Sequence, residues 1–432
     1  MRVPKGKVAK DLACLHFIIT NKLIAMIDYY EVKSQPITRV MVLQAYEKVR
    51  ANQGGSGIDN MDWDWLEKNL QAQMYKLWNR LSSGSYFPQP VKQVIIKKKQ
   101  GGERYLGIPT LLDRIAQQVV KTHLELKVEP IFHNSSFGYR PSRSCHQSVS
   151  QACSNSFNHD FVIDLDIKSF FDTIDHDLLM KAVRFYCKDK WIMLYVKRWL
   201  KSGIVTQEGC YLESLTGTPQ GGVISPLLAN IFMHICFDSW MKTNHPEKPF
   251  ERYADDIVVH CKTEKQALYV LKCIRHRLSK CKLSLHPDKT KIVNLRGLSA
   301  KKYPRSFDFL GFTIQANWVN VKGKMKLIPS IFISKKSQSS VLKKFKELYI
   351  HKKRKPIELI AKELNPIIQG VINYYCKFSI GKTRHVWHQL NLRLLKWVKW
   401  EKGLYKMASL KWLQKKYREQ PALFAHWKLV HP

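Results

Sequence analysis

The chain has 432 residues, 72 of them Lys or Arg against 34 Asp or Glu, which leaves a formal net charge of +38. That length suits two or three subdomains better than one compact domain. So large an imbalance is self-repulsive and argues for a polyanionic partner; nucleic acid fits better than an anionic membrane, because neither an amphipathic basic anchor nor a lipidation signal accompanies the charge.

In chain order, Met1 to Lys10 is basic, but Asp11 interrupts the approach to the short apolar run Leu12–Ile19 and no cleavage site follows. No secretion signal is expected. Residues 1–35 keep helical apolar spacing at Leu15, Ile18, Ile19, Leu23, Ile24 and Ile27. A helix is predicted from Thr38 to Arg50, ending in the glycine-rich turn Gln53–Gly57, and a second from Trp63 to Leu81. Residues 91–99 read as a strand running into a Gly101-Gly102 hairpin turn, with Arg104 and Leu106 on the returning strand. Phe161 to Ile167 alternates with period two: Phe161, Ile163, Leu165 and Ile167 face one side, Asp164 and Asp166 the other. A helix capped by Thr173 or Asp175 follows.

Ser214 to Phe237 is uncharged and long enough to span a bilayer, but it contains Pro219, Gly221, Gly222, Pro226 and Asn230. These would leave backbone groups unsatisfied in lipid, so the segment is read as a loop and a buried helix, with no membrane partner. Pro226 suits that helix's first turn, and Leu227, Leu228, Ile231, Phe232 and Ile235 its buried face. Ten cysteines are scattered singly without a Cys-x-x-Cys pair. That excludes a zinc site or disulfide framework and suggests a reducing, cytoplasmic setting. Beyond Ile331 the pattern is helical, with 23 Lys+Arg against 5 Glu and no Asp. Trp387, Trp397, Trp400, Trp412 and Trp427 interleave with this charge, which suits a backbone-gripping surface with stacking positions; a helical bundle with a solvated basic face is the plainer alternative.

The chemistry begins at Arg252-Tyr253-Ala254-Asp255-Asp256, ahead of the apolar run Ile257-Val258-Val259. Adjacent carboxylates raise each other's pKa, so they need a cation, although a solvated turn would look the same in isolation. Asp166 at a strand end and Asp255 at a turn are natural partners for two-metal phosphoryl transfer, with Asp256 in support. Oxygen-only ligands imply Mg2+. No Ser/His/Asp or Cys/His nucleophile pattern is present.

Several ordered blocks together resemble a group II intron reverse transcriptase, the intron-encoded protein or maturase. Tyr253-Ala254-Asp255-Asp256 is similar to the family's catalytic turn, and Asp166-Ile167-Lys168-Ser169-Phe170-Phe171-Asp172 to its first metal-binding block. Thr218 to Asn230 resembles the nucleotide-pocket block. Leu106 to Thr110 with Asp113-Arg114, and Ser136 to Pro141, resemble the fingers. Gly57-Ile58-Asp59 resembles the block that sets this lineage apart from retroviral polymerases. Leu285 to Thr290 and Phe309-Leu310-Gly311-Phe312 resemble the last palm blocks, and Leu364 to Gly370 with Asn373-Tyr374-Tyr375 the thumb, called domain X.

The resemblance implies an α+β right-hand polymerase. Residues 1–90 would be an N-terminal extension and first fingers block, 91–330 fingers and palm, and 331–432 a helical thumb with a short basic tail. It implies two Mg2+ ions held by Asp166, Asp255 and the Ile167 carbonyl, with Asp256 essential but less direct. Phe171 falls at the steric gate that selects deoxynucleotides, although adjacent Phe170 competes for the role. Lys98 and Arg104 would hold the incoming triphosphate, with Lys97 or Lys99 as alternatives to Lys98, and Gln220 would line the nucleotide site. Lys289 would support the palm, contact phosphate or be a solvated lysine.

The implied activity is RNA-directed DNA polymerisation, with an RNA template, a DNA primer and dNTPs, in a bacterial cytoplasm, together with binding of intron RNA as a splicing maturase. The alternatives are a domesticated reverse transcriptase in DNA repair or phage defence, or a splicing cofactor that does not need polymerisation. Many relatives carry a zinc-bearing endonuclease domain, for which this sequence offers no Cys pairs, so the endonuclease-lacking type is expected.

Overall fold

The computed structural model describes residues 34–97, 103–297, 302–378 and 380–432. Its architecture is mixed α+β, as expected. Helix α1 (Arg39–Arg50) starts where Thr38 caps it, the Thr38 hydroxyl accepting from the Met41 N–H. The predicted helix from Trp63 to Leu81 is instead two, α2 (Trp63–Lys68) and α3 (Leu70–Ser83). They break at Asn69, whose side-chain amide donates to the Trp65 carbonyl and so competes with the backbone ladder.

Strands β1 (Val91–Lys97) and β2 (Glu103–Ile108) pair antiparallel, with Ile96 opposite Arg104. Helix α4 (Leu111–Val128) follows, then α5 (Cys145–Asn155). Strand β3 (Phe161–Asp166) leads into the single turn α6 (Phe170–Thr173), and Asp175, not Thr173, caps α7 (His176–Tyr186). Helix α8 (Lys190–Leu200) precedes two short strands, β4 (Ile204–Val205) and β5 (Tyr211–Leu212), which extend the first sheet in the order β2-β1-β4-β5.

The uncharged stretch is a loop and then the buried helix α9 (Ser225–Met233), with Pro226 in its first turn. A π-helical turn, His234–Asp238, continues it into α10 (Ser239–Asn244). Among the described residues, no helix is long and apolar enough to cross a membrane.

Strand β6 (Phe250–Tyr253) returns through a tight turn as β7 (Asp256–Cys261); α11 (Glu264–Lys280) and β8 (Lys291–Asn294) complete a sheet of order β6-β7-β3-β8. All its pairings are antiparallel. Its helix-covered face carries Ile163, Leu165, Ile257 and Val259 into a core that also holds Val42, Trp78, Leu124, Tyr195 and Phe232. The N-terminal helices therefore share one core with this sheet. The opposite face carries Asp164, Asp166 and Asp256, with Val162 and Val258 buried in a smaller core against Phe307, Phe312 and Ile314.

A third sheet, β9 (Ser306–Phe309), β10 (Phe312–Val321) and β11 (Lys324–Ile333), contains a long hairpin whose last residues lie past Ile331, where the pattern predicts helix. The expected boundary at 330/331 falls inside β11. Helices α12 (Lys335–Glu347), α13 (Ile357–Tyr375), α14 (Arg384–Lys402) and α15 (Lys406–Glu419) then pack around their own core. Here the tryptophan expectation is corrected. Trp387, Trp397 and Trp427 are fully buried in that core, Trp412 packs against it, and of the five it is Trp400 that is exposed. Four helices need a bulky apolar seam, and these rings fill it. The bundle is tied to the sheets where Tyr374 donates to the Leu310 carbonyl and its own carbonyl meets the His146 ring.

Candidate active site

The three carboxylates meet at the open end of the β6-β7-β3-β8 sheet. Asp166 is directly opposite Asp256 in the β3–β7 register, so both side chains leave the same face. Asp255 occupies the two-residue turn between Tyr253 and Asp256, which pair with each other. Beyond Asp166 the strand stays tied to the 284–286 segment: the His286 N–H donates to the Asp166 carbonyl and the Lys168 N–H to the Ser284 carbonyl. By alternation the peptide groups of Ile167 face the Asp255–Asp256 side, while its side chain is buried below.

Burial pushes the Asp256 carboxyl up to about 6, reinforced by the charges of Asp255 and Asp166 and opposed by Lys289 and Lys336. Asp256 is open to cleft water, yet the surrounding protein still makes its charge costly. Asp255 is raised too, by desolvation first and then by Asp166, against Arg104 and Lys289. Asp164, one step back on the same face, is pushed to about 7 by burial and then by Asp256. A buried carboxyl of raised pKa favours the fold while it is protonated, and that contribution is lost as pH rises from about 4 through about 7. Replacing Asp164 with Asn should therefore raise the melting temperature at pH 8 by about 2 °C or more and leave it nearly unchanged at pH 5. A thermal scan that shows the same shift at both pH values would contradict this assignment.

Lys289 reaches both Asp166 oxygens, at 3.1 and 3.2 Å, so of the three readings left open for it, the one the geometry adds to is support of the carboxylate floor. Among the described residues, no three His, Cys, Asp or Glu side chains lie close enough to hold an ion unaided. The oxygens on offer nevertheless suit a hard cation such as Mg2+, which takes one or two carboxylates and completes its shell with water and phosphate. The like charges of Asp166, Asp255 and Asp256 add to the cost of ionising Asp255 and Asp256, a cost that a bound cation would offset.

Beside the carboxylates, Arg104 donates to Gln220 Oε1 at 3.0 Å, and Gln220 Nε2 donates to Asp172 at 2.9 Å. Arg104 also acts electrostatically on Asp255, so the β2 side chain, the 218–222 loop and the carboxylates share one cleft. The Thr218 N–H donates to the Phe171 carbonyl at 2.7 Å. Gly217 makes this approach possible: a Cβ there would lie 2.7 Å from that same oxygen, at a backbone φ of +83°. Of the adjacent rings, Phe170 is buried in the core and Phe171 is partly exposed and packed on its rim. Lys98 lies outside the described residues. Lys97 is the last described residue of β1, exposed and opposite Glu103.

Sequence reading missed what holds the turn. Arg252 is completely buried and donates through Nε and Nη2 to both oxygens of buried Asp238, at 2.7 Å each. It also donates to Ser136 Oγ, Asn230 Oδ1 and the Ala254 carbonyl. Burial opposes the Asp238 charge, but Arg252 outweighs it and the carboxyl lies below its usual range. The π-helical turn ends on Asp238, the kind of local register change that re-aims a side chain at a functional site. Ala254 adopts a φ of +59°, which is strained for a residue with a side chain. Gly138 packs on it so closely that a Cβ there would lie 2.5 Å from the Ala254 nitrogen. The available signal was Glu251-Arg252, two charges inside a strand flanked by apolar residues, which burial would oblige to find partners.

Residues 96–314 match the reverse transcriptase (RNA-dependent DNA polymerase) family, and residues 338–417 match the group II intron maturase-specific domain. The chain is 36% identical over 191 residues to the group II intron-encoded protein LtrA of Lactococcus lactis, covering 44% of this chain and 32% of LtrA. It is 34% identical over 277 residues to protein YkfC of Escherichia coli, covering 55% of this chain and 72% of YkfC. The match to LtrA thus spans about a third of that protein's length. Telomerase from Candida albicans is a distant structural likeness, with a TM-score of 0.44 at 14% identity over 85% of this chain and 67% of that one. The family match takes in β2, β3, the 218–222 loop and the β6–β7 turn, the elements that meet in the cleft, and this chain belongs to the reverse transcriptase (RNA-dependent DNA polymerase) family.

Proposed function

We propose that the protein extends a DNA primer on an RNA template by two-metal phosphoryl transfer. The observation that carries this reading is the convergence of Asp166, Asp255 and Asp256 at one sheet end in a chain of this family. Asp166, Asp255 and the Ile167 carbonyl would hold two Mg2+ ions, which when bound lower the pKa of the primer 3′-hydroxyl and stabilise the charge that develops at the α-phosphate. Asp256, opposite Asp166, maintains the negative field that recruits them.

Arg104, positioned by Gln220, offers a guanidinium to the incoming triphosphate, with Lys98 as its expected partner. Gln220, fixed in turn by Asp172, lines the floor under the nucleotide. Lys289 pairs with Asp166 and offsets part of its charge. Phe171 sits at the rim of this floor, where its ring would close the space beneath the sugar. Phe171→Ala should therefore relax discrimination against ribonucleotides by about tenfold or more, with deoxynucleotide addition largely kept; unchanged selectivity in single-nucleotide addition would move the gate elsewhere.

Single-nucleotide addition to a DNA primer on an RNA template also tests the function itself. Failure to extend in Mg2+ while RNA is still bound tightly would favour the second reading, an RNA-binding splicing cofactor. That reading has its own support in the maturase-specific match at 338–417 and in the acid-poor helical region that contains it. Both activities can reside in one chain. The net charge of +38 implies that RNA binding weakens steeply with added salt.

A further inference from the structure

Two cysteines far apart in sequence meet beside the π-helical turn. Cys236 lies inside that turn, His234–Asp238, and Cys281 follows α11 directly as its C-cap. Both are buried, and both line one cavity of about 500 Å³ that opens to solvent, together with Phe185, Tyr186, Ile235 and Lys280. Arg277, in the last turn of α11, donates to the Ile235 and Cys236 carbonyls at 3.0 Å each and so ties the two backbones together. Across this contact the Cys236 thiol donates a hydrogen bond to the Cys281 sulfur.

A buried free cysteine is ordinarily a small apolar side chain, and Cys153, Cys187 and Cys261 fit that description. Two features set this pair apart. Each sulfur has a second thiol as its neighbour, and the cavity gives a small solute access to both. The two are also unequal. The hydrogen bond from Cys236, and then the charge of Arg277, bring the Cys281 thiol down to about 7 against the cost of burial. Cys236 is raised, by that same contact first and then by burial. Near neutral pH one sulfur is therefore largely a nucleophilic thiolate, while its neighbour keeps a proton. An attacking and a resolving cysteine are paired in this way.

We propose that Cys236 and Cys281 form a disulfide on exposure to hydrogen peroxide, and that this bond slows primer extension by displacing the Asp238–Arg252 brace. The Cys281 thiolate attacks one peroxide oxygen; the O–O bond breaks, a sulfenic acid forms and hydroxide leaves, to be protonated to water. The Cys236 sulfur then attacks the sulfenic sulfur and gives up its proton, and the displaced hydroxide leaves as a second water. The thiol pair loses two electrons and one peroxide is reduced to two waters. To bond, the sulfurs must close from hydrogen-bond contact to about 2.05 Å. Helix α11 is held along its length by buried Ala267, Val270, Ile274 and Leu278, whereas the π-turn is a local irregularity, so the turn is the partner that shifts. Its last residue, Asp238, grips Arg252, which holds the Ala254 carbonyl of the turn that carries Asp255. The effect on extension rests on the polymerase reading; the bond itself does not.

The full-length protein is reduced, freed of reductant and treated with hydrogen peroxide. It is then digested without reduction for mass mapping and assayed in parallel for primer extension. The expected results are a peptide pair joined through Cys236 and Cys281 and extension slowed by about tenfold or more, both reversed by dithiothreitol. Cys281→Ala should extend normally when reduced, form no such pair, and keep its extension within about twofold after peroxide. Exposed Cys210 is still present in that variant, so its resistance assigns the effect to the buried pair. Cys236→Ala gives the same comparison should Cys281→Ala fold poorly. Amide exchange over residues 250–256 should be faster in the oxidised protein, which reads the brace without relying on polymerisation.

Oxidation of Cys281 without the cross-link, a cross-link that leaves extension unchanged, or equal peroxide sensitivity in Cys281→Ala would overturn the proposal. A protein that cross-links and loosens residues 250–256, yet extends no primer when reduced, sinks the polymerase reading alone. One that extends when reduced but neither cross-links nor loosens sinks the disulfide alone.

Discussion

Asp255→Ala and Asp166→Ala should each reduce primer extension by about a thousandfold or more while leaving RNA affinity within about twofold. The asymmetry follows from where the charges sit. Asp166, Asp255 and Asp256 repel one another at the end of β3 and β7, and on the proposed reading a cation held there would serve catalysis and not the fold. For the same reason Asp255→Asn should melt at or above the temperature of the unaltered protein in metal-free buffer at pH 8, since it removes one of the repelling charges. Extension assays, filter binding and thermal scans on the same preparation check all three parts. A variant that loses extension and stability together would mean that these carboxylates serve the fold.

Arg252→Met should be the most damaging single change to stability. It leaves Asp238 charged and buried without its partner, at a cost of about 3–5 kcal/mol. Because the same guanidinium reaches Ser136, Asn230 and the Ala254 carbonyl, the turn carrying Asp255 loses its brace as well. Arg252→Lys keeps the charge but not the planar fork, so stability should recover in part while extension stays well below that of the unaltered protein. Arg252→Met combined with Asp238→Leu should recover stability further, as apolar replacements of buried ion pairs do, without restoring extension. Denaturant melts and extension rates across the three variants separate bracing of the fold from bracing of the turn. Recovery of extension in step with stability would show that Arg252 acts on the fold alone.

Most of the site was legible because its signals are local. The alternation in Phe161–Ile167 placed Asp164 and Asp166 on the polar face, and the paired acids ahead of Ile257-Val258-Val259 marked the turn, which the structure puts in register with Asp166. The Arg252 brace was not legible, because its partners come from residues 136, 230 and 238 and only the fold collects them. The expected division between Asp255 and Asp256 gains a complication, since Asp256 is the residue directly across from Asp166.

The buried tryptophans of α14 and the C-terminal segment were misread because basic neighbours on a helix surface look the same in sequence whether the ring faces in or out; the 3.6-residue spacing of Trp387, Leu390, Leu394 and Trp397 was the better guide. The β10–β11 hairpin escaped for a related reason. Its strands do alternate, as in Lys324-Met325-Lys326-Leu327, but the outer runs are short and polar, and Pro329 weakens the strand signal. Of the two adjacent phenylalanines, tertiary packing decides the facing: Phe170 enters the core and Phe171 stays at the rim.

The most direct measurement is a time course with a labelled DNA primer annealed to an RNA of defined sequence, all four dNTPs and Mg2+. The expected result is a product complementary to the template through its 5′ end, absent when Mg2+ is chelated and absent with Asp255→Ala. A primer that stays unextended while the RNA is bound, or a product formed equally well by Asp255→Ala, would contradict it.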